Sequence, residues 1–459
     1  MKVLDKGSKG QVLILVALLM VGLLGIAALA IDIGRAYGVK TKLNAAVDAA
    51  SYEAANALAE GSGESAMRAR AQRVAENYFS ANYPAVFLGA TPSAPEVTAT
   101  RNGDGSWQVS VSATAKMPTY FAGLMGLSTL DIGATSESVR GTLDMALVLD
   151  TSGSLNDPVP GLPGGVFSTV QDRAVNFTRR FSQQDDRLAL VSFSTGAYPV
   201  VSICGDYSTP RPEKQSPAAG TLGCERGFLQ ATLETAIKNL YAVGATASEQ
   251  GLRKAIEQLN AIPNNRRSGK RVIVFFSDGA PNTFYGSFPL IAGGTQEGNL
   301  YSYVRSDEPP RPSRIFDPTL AYDKYPKIRQ IASLPKNGLE GYNRKRSFYN
   351  DPEDPYLKCD ANIAARNLAE NVANIARGQG ILIYTVGLGQ VLDMPEMEET
   401  RCSTSNEKGV TVLKRLANTK DSDTYDPNQP SGVFCHAETI DALGPCFDKL
   451  ASEILRITK

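Results

Sequence analysis

Histidine is almost missing from this sequence. Among 459 residues the only histidine is His436, which stands beside Cys435 in a stretch rich in Pro, Gly and Asn. We interpret it as a solvated loop residue and not as a catalytic base. Catalytic zinc sites and Ser-His-Asp triads both depend on histidine, so its scarcity argues against both kinds of site.

The sequence also lacks an excess of charge of either sign. Lys plus Arg and Asp plus Glu both number 47, which gives a formal net charge of zero. Nucleic-acid binding relies on a positively charged surface, and this composition gives no indication of one. The hydrophobic content of 42% is that of a folded protein, and the length allows two or three domains of about 100–200 residues each.

Charge is missing altogether from Val12 to Ile31, a run of twenty residues. About twenty apolar residues form a helix that crosses the hydrocarbon core of a bilayer. Three lysines, Lys2, Lys6 and Lys9, precede the run, so the positive-inside rule places the N-terminus in the cytoplasm. The sequence predicts a single-pass protein of the inner (cytoplasmic) membrane, with its bulk on the periplasmic, extracytoplasmic side. A cleaved secretory signal is the alternative, but its apolar region would be about 7–15 residues long.

Helical periodicity continues beyond this run, from Asp32 through an Ala-rich segment to about Leu58. Residues 1–60 are therefore predicted to hold a cytoplasmic tip, a membrane-spanning helix and a pilin-like stalk helix. Small residues at Ala30, Gly34 and Gly38 are spaced by four, a pattern that favours close packing against another helix.

The sequence has no Cys-x-x-Cys pair, so thiolate metal sites and redox motifs are not indicated. It has six cysteines, all after the apolar run, and an even number outside the cytoplasm favours disulfides. Six cysteines allow 15 pairings, and the sequence leaves the choice open. Cys204–Cys224 and Cys435–Cys446 would close short loops, which would leave Cys359 and Cys402 as the third pair.

The most informative motif follows the apolar run Leu143–Leu149, which is typical of a buried strand. Asp150-Thr-Ser-Gly-Ser154 places one carboxylate and two hydroxyls in a single short loop. These hard oxygen ligands suit Mg²⁺ or Mn²⁺, and Gly153 allows a sharp turn. A polar turn without a ligand is the alternative for this pentapeptide taken alone.

Two later segments favour the metal site. Arg271–Ser277 is a second apolar run, and Asp278 follows it at the strand end where open α/β sheets bind ligands. Thr246 lies between two helical patterns and would supply a third hydroxyl, while Ser248 is predicted to cap the next helix. We predict no catalytic residues. The predicted metal ligands are Asp150, Ser152, Ser154, Thr246 and Asp278.

Alternating strands and helices predict an α/β fold with a doubly wound, mostly parallel sheet over 142–459, interrupted by a long insertion at about 282–357. The insertion has no sustained periodicity, and we expect it to emerge on the metal face as a partner-binding, lid or disordered element. A small α+β module is predicted for 61–141. Its helix Ser65–Ala81 is followed by a hairpin around Asn102-Gly-Asp-Gly105. The predicted buried face of that helix is Met67, Ala71, Val74 and Tyr78.

The order Asp-x-Ser-x-Ser, Thr, Asp-Gly resembles the metal-ion-dependent adhesion site of the von Willebrand factor type A family. The resemblance implies a binding module that is not an enzyme, in which an Asp or Glu of a protein partner completes the metal shell. Gly10-Gln-Val-Leu-Ile, Ala-Ile-Asp-Ile-Gly-Arg-Ala-Tyr and Asn-Ala-Ala-Val-Asp-Ala-Ala-Ser resemble the start of TadE/TadG-like proteins of Flp (tight adherence) pilus assembly. That resemblance implies a role in assembling or anchoring a surface pilus.

The N-terminal sequence does not fit cleavage by a prepilin peptidase. Prepilin peptidases cut after a glycine, with glutamate at the fifth mature position; a cut after Gly10 would place Leu15 there. We therefore predict an uncleaved anchor.

An exported adhesion or envelope protein without a pilus role is one alternative function. A metal-dependent phosphatase is the other, although the sequence shows no His, Lys or Asp nucleophile at a fixed spacing from the metal motif.

Overall fold

The computed structural model of the chain describes residues 8–58, 63–158, 164–205, 224–301, 314–317, 324–327, 357–393 and 407–455. These residues form two compact units, the first ending at Gly141 and the second beginning at Thr142. The first unit contains helices α1 (Ser8–Ala57) and α2 (Glu64–Asn82) and strands β1 (Thr91–Pro92), β2 (Glu96–Arg101), β3 (Trp107–Pro118) and β4 (Thr129–Arg140).

Helix α1 confirms that the apolar run continues into the following segment as one helix. Its first part is exposed, and among the described residues it is the one helix that is long and apolar enough to cross a membrane. Its second part is buried, because Val39, Leu43 and Val47 recur at helical spacing and pack against α2 and the sheet. Gly38 also packs inside the unit, since a Cβ there would lie 2.9 Å from Leu88 Cδ1.

The predicted face of α2 is partly wrong. Met67 and Ala71 are buried as expected, but the next buried residues are Ala75 and Phe79. Tyr78 is 42% exposed. Residues three or four positions apart both lie on the same face of a helix. Tyr78 and Phe79 are adjacent in sequence, so either could follow the preceding apolar residues on that face. The periodicity alone therefore did not decide which of them faces the core.

Antiparallel strands cover the buried half of α1. The predicted hairpin is confirmed, with Arg101 of β2 opposite Trp107 of β3. Strand β4 then pairs with β3 along its whole length, from Trp107↔Arg140 to Pro118↔Thr129. A loop after Pro118 connects β3 to β4, and this loop lies at the end of the sheet opposite Trp107.

The second unit is the predicted doubly wound α/β fold. Its six-stranded sheet has the order β13-β12-β8-β5-β6-β7, and all neighbours are parallel except the edge strand β7. Helices α3, α4 and α8 cover one face, and α5, α6 and α7 cover the other. The elements of this unit are β5 (Leu143–Asp150), α3 (Phe167–Thr178), β6 (Arg187–Phe193), β7 (Ala197–Val201), α4 (Gln230–Lys238), α5 (Ser248–Ala261), β8 (Lys270–Ser277), β9 (Tyr285–Pro289), β10 (Thr295–Tyr301), β11 (Arg314–Ile315), α6 (Leu357–Gly378), β12 (Leu382–Leu388), α7 (Gly409–Ala417), β13 (Phe434–Ala437) and α8 (Ile440–Leu455).

The predicted insertion begins with regular structure that its sequence did not indicate. Strands β9 and β10 form an antiparallel hairpin, and β11 pairs with β10. Phe284, Phe288 and Leu300 form a separate small core with the first turns of α6. The hairpin was missed because these strands are short and mix aromatic with polar residues. Most of 302–356 lies outside the described residues.

Two disulfides join the cysteines that lie close in sequence. Cys204 is bonded to Cys224, and Cys435 is bonded to Cys446. Both short loops proposed from the sequence are therefore confirmed. The third pairing, Cys359 with Cys402, is not described by the structure, because Cys402 lies outside the described residues.

Candidate functional site

Two aspartates end neighbouring strands at the carboxyl edge of the sheet. The parallel register of β5 and β8 pairs Leu149 with Phe276, so Asp150 and Ser277 are the next residues along. The Ser277 hydroxyl donates to Asp150 Oδ2 at 2.5 Å. Asp278 directly follows Ser277, and the sheet register therefore brings the two carboxylates to one place.

The loop after Asp150 folds back over these carboxylates. The Ser152 N–H donates to Asp150 Oδ1 at 2.8 Å, and the Ser152 hydroxyl donates to Asp278 Oδ1 at 3.3 Å. Ser152 Oγ lies 3.1 Å from Ser154 Oγ. Four of the five predicted ligands are thus connected by direct hydrogen bonds.

Thr246 reaches the same edge on a third loop. Its N–H donates to Asn282 Oδ1 at 2.8 Å, and the Asn282 N–H donates to the Thr246 carbonyl oxygen at 3.1 Å. Its own hydroxyl lies 3.7 Å from the position that a Cβ on Gly279 would take. These contacts place Thr246 beside the Asp278 loop without a direct hydrogen bond between its hydroxyl and either aspartate.

Gly244 allows the third loop to approach the first. Its φ of +92° is a left-handed conformation, and a Cβ there would lie 2.5 Å from Thr195 Oγ1. Its carbonyl oxygen accepts the Gly153 N–H at 3.0 Å. A side chain at Gly244 would therefore collide with Thr195 and displace the loop that carries Thr246.

The site is enclosed by protein on one side and open to solvent on the other. Asp150, Ser152 and Thr246 are buried, with at most 4% of each residue exposed, whereas Ser154 is exposed and Asp278 is partly exposed. A bound group would therefore have protein on one side and solvent on the other. Insertion strand β10 lies near this edge, because Asn299 packs against Gly196 just after β6.

Burial of like charges dominates the electrostatics. Removal from water raises the pKa of Asp150, and the nearby Asp278 raises it further, although the hydroxyls of Ser277 and Ser152 act in the opposite direction. Desolvation likewise raises the pKa of Asp278, against hydrogen bonds from Ser154 and Ser152. The arrangement disfavours two negative charges unless a positive charge lies between them.

The donor set fits a hard divalent cation. All five predicted ligand side chains offer oxygen, two of them as carboxylates, and Mg²⁺ and Mn²⁺ prefer such donors. Two carboxylates also match the charge of such an ion. The raised pKa of both carboxyl groups agrees with this donor set, because a cation would stabilise their charged forms.

Three supporting residues were missed from the sequence, namely Ser277, Asn282 and Gly244. Each acts through a contact between loops that are far apart in the chain, which local patterns do not reveal. The sequence analysis treated Ser277 only as the end of a strand. Its position next to Asp278 was the only sequence feature that could have indicated a supporting role in the site.

Two sequence interpretations at this edge are wrong. Ser248 is the first residue of α5, and Ala247 holds the N-cap position, where no side-chain capping bond forms. His436 lies in the short strand β13 instead of a solvated loop. Its Nε2 is 2.9 Å from the Gly389 carbonyl oxygen, and its Nδ1 is 3.4 Å from Asp393 Oδ2. A four-residue strand after a Pro- and Gly-rich stretch gives too little pattern to recognise.

Comparison with known structures gives weak overall likeness. Proximal thread matrix protein 1 from the mussel byssus is 14% identical, with a TM-score of 0.33, and 70% of this chain and 49% of that chain are covered. A mutant of the PilB minor pilin of Streptococcus sanguinis is 14% identical, with a TM-score of 0.39, and the match covers 81% of this chain and 80% of that chain. The von Willebrand factor domain of the type V pili tip protein Mfa5 from Porphyromonas gingivalis is 13% identical, with a TM-score of 0.36. This match covers 69% of this chain and 96% of that chain. The chain spans about half the length of the mussel protein, and no curated protein matches it.

Comparison with protein families matches two separate segments of the chain. Residues 10–57 match the family described as Flp pilus-assembly TadE/G-like. Residues 145–280 match the von Willebrand factor type A domain, and this range contains the strands and loops that carry Asp150, Thr246 and Asp278. The chain therefore joins a TadE/G-like N-terminal segment to a von Willebrand factor type A domain, the combination that its sequence predicted.

Proposed function

We propose that this protein is a membrane-anchored binding module in the assembly or anchoring of a Flp-type surface pilus. A divalent cation, Mg²⁺ or Mn²⁺, would be held by Asp150, Ser152, Ser154, Thr246 and Asp278. When bound, the cation supplies a positive charge that a carboxylate of a protein partner can ligate. The observation that carries this proposal is the convergence of two carboxylates and their hydroxyls at one open edge of the sheet.

The open side of the site supports the proposed binding of a partner. Protein oxygens approach from the buried side, where Asp150 and Ser152 lie, while Ser154 and Asp278 face solvent. A partner's Asp or Glu would reach the cation from that solvent side. Such a charge pair is strong because the ion is the largest local charge and is only partly screened by water.

Metal titration of the soluble fragment 141–459 tests the ligand assignment. We expect Asp278→Ala to weaken Mg²⁺ or Mn²⁺ binding at least about tenfold, equal to about 1.4 kcal/mol, since it removes a charge. Thr246→Ala should weaken binding less, because it removes only a hydroxyl. Isothermal titration calorimetry measures both, and unchanged metal affinity in Asp278→Ala would contradict the proposed site.

Ser248→Ala is the matched control for Thr246→Ala. Ser248 is also a buried hydroxyl residue, two positions further along the chain, but it is not among the proposed ligands. Its replacement should leave metal affinity unchanged. Pull-down from membranes then tests the function: the wild type should capture its partner, whereas Asp150→Ala, or the wild type with EDTA, should not.

A further inference from the structure

The loop between β3 and β4 exposes an unusual number of apolar side chains. Leu124 is 87% exposed, Met125 73% and Tyr120 63%, and Leu127 and Phe121 are also exposed. The loop has a defined conformation, because residues Ala122–Met125 form a turn of 3₁₀ helix. Clustered exposed apolar residues of this kind mark an interaction surface.

The Asp32 carboxylate fixes this loop to helix α1. The N–H groups of Tyr120, Phe121 and Ala122 each donate to it at 2.9 Å. Asp32 is also the first charged residue after the twenty-residue apolar run that ends at Ile31. The exposed loop is therefore held at the point where the apolar part of α1 ends.

Arg35 adds a second attachment at the same level. Its guanidinium donates to the Pro118 carbonyl oxygen at 3.1 Å and to the Leu88 carbonyl oxygen at 2.8 Å. It also lies 3.6 Å from the centre of the Tyr120 ring. Leu88 and the nearby Val86 are themselves exposed, so a second apolar loop borders the first.

These positions coincide with the expected surface of the bilayer. A hydrocarbon core of about 30 Å takes about twenty helical residues, which matches the run from Val12 to Ile31. Asp32 and Arg35 then lie in the headgroup region, where aromatic and cationic side chains are favoured. Apolar side chains fixed at that level reach the boundary of the acyl chains.

We propose that the loop 119–127 inserts into the membrane interface, so that the first unit rests directly on the lipid surface. The occupant of this apolar surface is the bilayer, because the loop continues the surface of the membrane helix. The inference rests on the membrane anchoring in the proposed function. It adds that the polypeptide has a second lipid contact and that α1 does not leave the membrane as a free stalk.

Tryptophan fluorescence of the full-length protein in vesicles tests this contact. The single native tryptophan, Trp107, is buried at the far end of β3 and gives a constant background. In Leu124→Trp the added tryptophan should lose emission in vesicles with brominated acyl chains. The matched control is Val139→Trp, an exposed apolar position on β4. It lies ten residues from Thr129, about 33 Å along the strand, and should be quenched no more than the wild type.

Alkaline carbonate extraction separates failure of this inference from failure of the anchor. If Leu124→Trp stays in the membrane pellet but is quenched no more than Val139→Trp, the loop does not touch lipid and the inference is overturned. It would then be a surface for a protein or a second copy of the chain. If the wild type is released by carbonate, the proposed anchor fails and this inference fails with it.

Discussion

At the residue scale, the two aspartates of the proposed site lie together because the strands that carry them are neighbours and run parallel. Asp150 and Asp278 were recognisable because each directly follows a buried parallel strand, and neighbouring parallel strands end at the same edge. Ser277 and Asn282 act through contacts across loops, so no local pattern identifies them. Ser248 was misjudged because a serine before a helical pattern fits both the N-cap and the first helical turn.

The two aspartates lead to a pH prediction. Their pKa values in the metal-free folded protein lie above the ordinary carboxyl value of 3.8, chiefly through burial. The folded state then binds more protons than the unfolded state, so metal-free stability falls as the pH rises above that ordinary value. Bound Mg²⁺ offsets the charge, and it should therefore raise the melting temperature more at about pH 7.5 than at about pH 5.5.

Thermal melts of the fragment 141–459 with and without Mg²⁺ measure this difference. Asp278→Asn is the control, because it keeps the shape of the side chain and removes one of the two charges. It should be at least as stable as the wild type without metal and should respond little to Mg²⁺. An equal Mg²⁺ effect at both pH values in the wild type would contradict the electrostatic account.

At the element scale, helices and strands of the second unit were predictable because their apolar patterns are long. Strands β5, β6 and β8 are buried along their length, which is the expectation for parallel strands covered on both faces. Short elements such as β13 and the β9–β10 hairpin were not predictable, since four to seven mixed residues carry little periodicity.

A buried ion pair at the other edge of the sheet gives a stability prediction. Arg187 Nη1 lies 2.8 Å from Asp144 Oδ1, and both side chains are at most 2% exposed. The same guanidinium donates to the Cys224 carbonyl oxygen at 2.8 Å, next to a disulfide. Arg187→Met should lower the free energy of unfolding by about 3–5 kcal/mol, because it leaves the Asp144 charge buried without its partner.

Urea unfolding measures this loss, and Arg180→Met is the matched control. Arg180 pairs with Asp448 at 3.9 Å on the surface, where both side chains are about half exposed or more. Its loss should change stability by less than about 1 kcal/mol. Metal affinity should be unchanged in Arg187→Met, since Asp144 is six residues, about 20 Å, from Asp150 along β5. A small loss equal to that of Arg180→Met would show that the buried pair contributes little.

At the scale of the whole molecule, the chain combines an apolar helix with a disulfide-bonded domain. The two described disulfides, Cys204–Cys224 and Cys435–Cys446, both lie in the second unit. Disulfides persist in oxidising compartments and are rare in the cytoplasm. By the positive-inside rule, the three lysines before the apolar run predict an N-terminus in the cytoplasm. Two unrelated features thus predict the same orientation, with the second unit outside the cytoplasm.

This orientation predicts the outcome of reporter fusions. A reporter that is active only in the cytoplasm should be silent when fused after Lys459 and active when fused before Met1. Thiol labelling of the intact protein provides the second measurement: Cys204, Cys224, Cys435 and Cys446 should react with maleimide only after reduction. Cytoplasmic activity at Lys459 would reverse the orientation. The four thiols would then be expected to label without reduction, because cytoplasmic glutathione and thioredoxin keep cysteines reduced.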